Sequence, residues 1–157
     1  TYSKDVFYHK QKKEIPVWHS DLEFALDKQE FFLMYQPIFL TDNGKLESVE
    51  ALIRWQHPTQ GLIPPNTFIP IAEDSHLISS IGYWVLDSAC RQFCIWRTEY
   101  QFELAIHINV SAQQLQYSNL VNTMKKLIHR YEIPANYLTL EVTESIFIDH
   151  PEIVIEK

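Results

Sequence analysis

An α/β fold with a largely parallel sheet, opened by an antiparallel first strand, is predicted for this chain by three features of its sequence. From Lys45 onward, strand-like and helix-like runs alternate. The first two strand-like runs are separated by Asn43-Gly44, a strong hairpin signal. Each later strand-like run also has one apolar and one more polar side at a period of two. The 157 residues fit one domain by the usual size prior, and 46% apolar content suffices for a core.

The elements follow in order. Residues 1–19 are polar, with Lys10, Lys12 and Lys13 close together, and read as a linker or the tail of an upstream domain. Ser20 is placed as the N-cap of a first helix carrying Leu22, Ala25 and Leu26. Phe31–Leu40 and Lys45–Trp55 are the first two strands; a connection that short cannot return the chain for parallel pairing. His57-Pro58-Thr59-Gln60-Gly61 reads as a turn. Pro64-Pro65 then precedes a short helix over Thr67–Glu73, and a longer one runs from Leu77 to Tyr100. A strand at Glu103–Val110, a helix begun by Ser118, a strand at Tyr137–Val142 and a helix starting at Pro151 complete the pattern.

Composition excludes several function classes. With 13 basic and 20 acidic side chains the net charge is −7, so a DNA or RNA polymer, which needs a basic stripe, is not an expected partner. Only 3 glycines are present, which nearly excludes glycine-rich phosphate loops. No apolar run approaches the ~20 residues of a membrane span, and the N-terminus lacks a signal-peptide core. The segment is therefore expected to be cytoplasmic without direct membrane contact, although a longer parent could be membrane-anchored. Cys90 and Cys94 lie four apart in a helical pattern, a spacing ill suited to a disulfide, and read as apolar filler in a reducing compartment. No His-Glu-x-x-His or Cys-x-x-Cys pattern supports zinc.

The polar sides of the strands carry the chemistry. Glu50, Leu52 and Arg54 oppose Val49, Ala51, Ile53 and Trp55. Ala105, His107 and Asn109 oppose Leu104, Ile106, Ile108 and Val110, and Thr139, Glu141 and Thr143 oppose Leu138, Leu140 and Val142. One account is an antiparallel sheet with a wet face. The other is a parallel barrel, whose inward residues near the strand ends build active sites. Oxygen donors at Glu50, Asn109 and Glu141, each near a strand end, suit Mg²⁺ or Mn²⁺. His107 shares the side of Asn109 and is a candidate to line the pocket, with a packed or solvated histidine the favoured reading. Ser111 reads as a helix cap.

Five linked motifs then resemble a known family. Tyr35-Gln36-Pro37-Ile38, Glu50-Ala51-Leu52-Ile53-Arg54-Trp55, Pro65 with Phe68-Ile69-Pro70-Ile71-Ala72-Glu73, Asn109-Val110-Ser111 and Glu141-Val142-Thr143-Glu144-Ser145 occur in the order and spacing of EAL domains, bacterial hydrolases of cyclic di-GMP. The resemblance implies a TIM-like (β/α) barrel with an antiparallel first strand, of which residues 20–157 are the N-terminal portion, about half. It implies Mg²⁺ or Mn²⁺ held by Glu50, Asn109 and Glu141, with Gln36, Leu52 and Arg54 on the substrate and Glu144 supporting a loop. The implied reaction opens one phosphodiester of cyclic di-GMP to give linear pGpG. Bound cations also reverse the local charge of an acidic cleft, so the net −7 does not forbid an anionic substrate.

The family's remaining site motifs do not occur after Glu144, and a whole barrel needs about 250 residues. The segment alone is therefore expected to be inactive, and its open strand edges predict a homodimer or other self-association. The alternatives are a degenerate EAL module that senses cyclic di-GMP or binds another protein without hydrolysis, and an unrelated metal hydrolase on a TIM-like scaffold.

Overall fold

The computed structural model describes residues 19–117 and 119–142. The chain divides into two compact units, one of Thr1–Phe32 and Arg54–Ile78, the other of Leu33–Ile53 and Ser79–Lys157. One sheet has the strand order β1 (Phe31–Phe39), β2 (Leu46–His57), β4 (Ala105–Val110), β5 (Leu138–Val142), and the short β3 (Gly61–Ile63) also pairs with β2. The β2–β4 and β4–β5 pairs are parallel. Neighbouring β1 and β2 are joined by residues 40–45 alone, which forces them antiparallel. In that connection Leu40 N–H donates to Lys45 O at 2.8 Å, and Asn43 Oδ1 accepts from Lys45 N–H at 2.9 Å. Gly44 takes φ +67°, which a side chain would oppose.

In the first unit, helix α1 covers residues 19–25, so Ser20 lies inside the helix rather than capping it. Helix α2 spans Pro65–Asp74, with a proline at its first position, where the missing N–H costs nothing. The core is aromatic. Trp55 and Phe68 are fully buried, and Phe31, Trp55 and Phe68 place their ring centroids 5.6–5.9 Å apart. Trp55 Nε1–H donates to Glu30 Oε2 at 2.9 Å, so the indole is buried with its polar atom satisfied.

His57, expected in a turn, instead ends β2 with only 6% exposure. Its Nδ1 accepts the backbone N–H of Thr59 and of Gln60, both at 3.2 Å, and its Nε2 lies 3.2 Å from Asp21 Oδ2. The chain then reverses through Gly61, at φ +74°, into the unexpected β3, pairing Trp55 with Ile63 and His57 with Gly61.

In the second unit, helix α3 (Ile78–Glu99) supplies buried Ile81, Val85, Leu86, Ala89, Cys90 and Phe93. The apolar side of β4, with Ile106, Ile108 and Val110 at 0–4% exposure, is as fully covered as alternation predicts. Helix α4 (Ala112–Tyr117) follows, then α5 (Leu120–Tyr131), which buries Leu120, Met124 and Leu127 at helical spacing. Ser118, expected to begin α5, lies outside the described residues, and Asn119 occupies the N-cap. Glu132 ends α5 in the left-handed region at φ 51°. Arg97 serves its last carbonyls, donating to Glu132 O at 2.8 Å and Tyr131 O at 3.3 Å. A 3₁₀ turn (Ala135–Tyr137) leads into β5. Among the described residues no helix is long and apolar enough to cross a membrane.

Candidate metal centre

Register sets the site within the second unit. In the parallel pair of β2 and β4, Glu50 stands opposite His107; in the pair of β4 and β5, Asn109 stands opposite Glu141. Residues opposite one another share a side of the sheet, and His107 and Asn109 are two apart on one strand. Glu50, His107, Asn109 and Glu141 therefore occupy one side, away from buried Val49, Ala51, Ile106 and Ile108.

Two contacts tie them together. Asn109 Nδ2–H donates to Glu50 Oε1 at 2.5 Å, and His107 Nδ1 lies 2.6 Å from Glu141 Oε1. Asn109 and Glu141 sit one residue before the ends of β4 and β5. Glu50 is a partial exception to expectation. It lies in mid-strand, because β2 continues to His57, but it is near the C-terminal end of the stretch that pairs with β4.

The segment after Asn109 is held by a reciprocal cap. Gln114 N–H donates to Ser111 Oγ at 3.3 Å, while Ser111 N–H donates to Gln114 Oε1 at 2.9 Å. Ser111 is thus a cap, as its position suggested. Gln114 is itself buried at 6% exposure against Gly82 of α3, where an added Cβ would fall 1.6 Å from Gln114 Nε2. A side chain at this position would have to displace Gln114, so the constraint on Gly82 is close approach rather than backbone angle.

The remaining predicted site residues stand as follows. Gln36 is exposed on β1, two-residue alternation placing it opposite the side on which Tyr35 meets Trp96 at 4.9 Å. Leu52 is half-buried on β2 with the alternation of Glu50. Arg54 belongs to the first unit and is half-buried. Glu144 lies outside the described residues. His107, read from sequence as a packed or solvated residue, is instead the hydrogen-bond partner of Glu141. Its alternation with Asn109 was the available signal.

Among the described residues, no three His, Cys, Asp or Glu side chains converge closely enough to hold a metal by themselves. The convergence on this face depends on the Asn109 amide. Two carboxylates and an amide carbonyl form the hard oxygen set that Mg²⁺ and Mn²⁺ favour, so the donor chemistry fits such an ion. The bond from Asn109 Nδ2 also leaves the amide oxygen uncommitted by that contact.

Parallel strands bearing acidic donors near their C-terminal ends, with helices on the opposite side, define a segment of TIM-like barrel. The chain belongs to the EAL domain family, whose pattern it matches over residues 19–156. It is 44% identical over 125 residues to the bifunctional diguanylate cyclase/cyclic di-GMP phosphodiesterase MucR of Pseudomonas aeruginosa, covering 80% of this chain and 18% of that protein. It is 35% identical over 136 residues to the cyclic di-GMP phosphodiesterase PdeR of Escherichia coli, covering 87% of this chain and 20% of that one. A solved structure of the PaMucR phosphodiesterase in complex with c-di-GMP superposes with a TM-score of 0.81 at 40% identity, covering 88% of this chain and 56% of that one. The chain thus spans under a fifth of the MucR protein and just over half of the MucR structure.

Proposed function

We propose that the intact protein containing this segment hydrolyses cyclic di-GMP to linear pGpG, and that residues 20–157 supply the N-terminal portion of the hydrolytic domain. The observation that carries this is the gathering of Glu50, Asn109 and Glu141 on one side of three adjacent parallel strands. The ligands named in the MucR and PdeR descriptions and in the MucR complex agree with it.

In this mechanism Glu50, Asn109 and Glu141 would hold Mg²⁺ or Mn²⁺ through oxygen. Bound there, the cation would supply Lewis-acid activation of water and neutralise the diester oxygens. Arg54 then pairs with a substrate phosphate, a task its always-charged guanidinium suits. Gln36 and Leu52 line the nucleotide pocket, and Glu144 supports a neighbouring loop, as in the family pattern. The capped start of α4 keeps the chain after Asn109 in place, so that the amide need not be ordered when the ion binds. Among the described residues β1 and β5 form the two edges of the sheet, which supports self-association through strand edges, a property sedimentation measures directly. The free thiols Cys90 and Cys94 suit a reducing, cytoplasmic setting.

The test is chromatographic. Intact protein with Mn²⁺ or Mg²⁺ is expected to convert cyclic di-GMP to pGpG, and chelation to stop it. The 157-residue segment alone is expected to give under ~1% of that rate, because groups that act as a unit fail together. Tight binding of cyclic di-GMP by the intact protein without pGpG would overturn the hydrolytic reading in favour of a non-hydrolytic sensor.

A further inference from the structure

The four polar side chains at the site form two pairs, Glu50 with Asn109 and His107 with Glu141. Only the second pair includes a residue outside the expected ligand set. His107 is opposite Thr139 in the β4–β5 register, so its contact reaches diagonally, two residues along β5, to Glu141. The His107 and Glu141 side chains are 24% and 41% exposed, so this is not a core contact imposed by packing. An ionised carboxylate only accepts hydrogen bonds, so the proton in the 2.6 Å contact belongs to Nδ1.

We propose that His107 is a positioning residue for the divalent ion. Its Nδ1–H fixes one oxygen of Glu141 and leaves the other to the cation. This rests on the metal reading given above and deepens it. A half-exposed glutamate otherwise samples several rotamers, and ordering it when the ion arrives costs side-chain freedom. A histidine two residues from Asn109 on the same strand removes that freedom beforehand, using a scaffold the sheet already fixes. His107 thereby affects affinity without touching the ion.

The experiment is Mn²⁺ titration of the intact, chelator-stripped protein, followed by the electron paramagnetic resonance signal of free Mn²⁺, with thermal melting of each metal-free variant alongside. His107→Ala is expected to weaken Mn²⁺ binding about 10- to 100-fold, the usual effect of removing such an outer partner, while metal-free melting stays close to wild type. His107→Asn, whose amide nitrogen can occupy the place of Nδ1, is expected to restore most of the affinity. Should the alanine variant fail to fold, His107→Asn against His107→Leu makes the same comparison, donor against no donor at similar size.

Wild-type affinity in the variant lacking a donor overturns the proposal. So does an asparagine variant as weak as alanine, since the imidazole would then be needed as a direct nitrogen ligand. Failure of the wild-type protein to bind Mn²⁺ would remove the metal reading itself, a result separate from either of these.

Discussion

Two stretches of β2 lie in different environments. At its C-terminal end, in the first unit, Trp55 and His57 are buried and every polar atom named there has a partner: the indole N–H on Glu30, and both imidazole nitrogens engaged. Farther back along the strand, in the second unit, Glu50 accepts from the exposed Asn109, on a side of the sheet whose polar groups are half-open to water. The histidines repeat the contrast. His57 accepts two backbone N–H groups on one nitrogen and faces Asp21 with the other; His107 engages Glu141 through one nitrogen. Saturated, buried polar groups fix a fold, whereas paired but accessible ones keep donor atoms in reach of a ligand.

The sharpest test exchanges a residue in each stretch. Trp55→Ala removes the centre of the aromatic cluster and leaves Glu30 without its donor, so ~3–5 kcal/mol of stability is expected to be lost. Urea denaturation reads it; a loss below ~1 kcal/mol would mean the cluster is not a core.

In the middle of the strand, Glu50→Gln keeps an oxygen for Asn109 but removes the charge. Stability is expected to stay within ~0.5 kcal/mol of wild type, as for a surface substitution. The rate of pGpG formation by the intact protein should fall at least ~100-fold, equivalent to ~2.7 kcal/mol at the transition state. An active variant would detach Glu50 from the proposed metal site, and a large stability loss would erase the contrast between the two stretches.

Much of this contrast was legible in the sequence, for a physical reason: strand side chains alternate strictly, so Glu50, Asn109 and Glu141 could be assigned to the polar side before any register was known. Alternation cannot say which residue on one strand faces which on the next. The diagonal contact of His107 with Glu141 depends on that offset, and the sequence reading accordingly missed it. β3 escaped for another reason, since three residues carry too little period to distinguish them from the turn they leave. Trp55 was counted as apolar surface, and nothing in its spacing revealed that Glu30, 25 residues away, would satisfy its indole. Helices α3 and α5 of the second unit were within a few residues of prediction because they are long enough for their apolar stripes to repeat.

The smallest expected effect tests whether the closed side of the second unit is as dry as the first unit's core. Cys90 is fully buried on α3, and burial, reinforced by Asp87 and Cys94, pushes its thiol from an ordinary 9.0 up to about 12. An unfolded chain releases that proton near pH 9.0, whereas the folded chain keeps it until about 12, so between those values the folded state binds more protons. The contribution is therefore fully present below about pH 9 and is lost as pH rises through that window, by on the order of 1 kcal/mol per pH unit for one proton. Cys90→Ala is expected to flatten the fall of melting temperature between pH 9 and 11 relative to wild type. Identical slopes in the two proteins would show that water reaches Cys90, and that the sheet side opposite the proposed metal centre is less closed than its apolar lining requires.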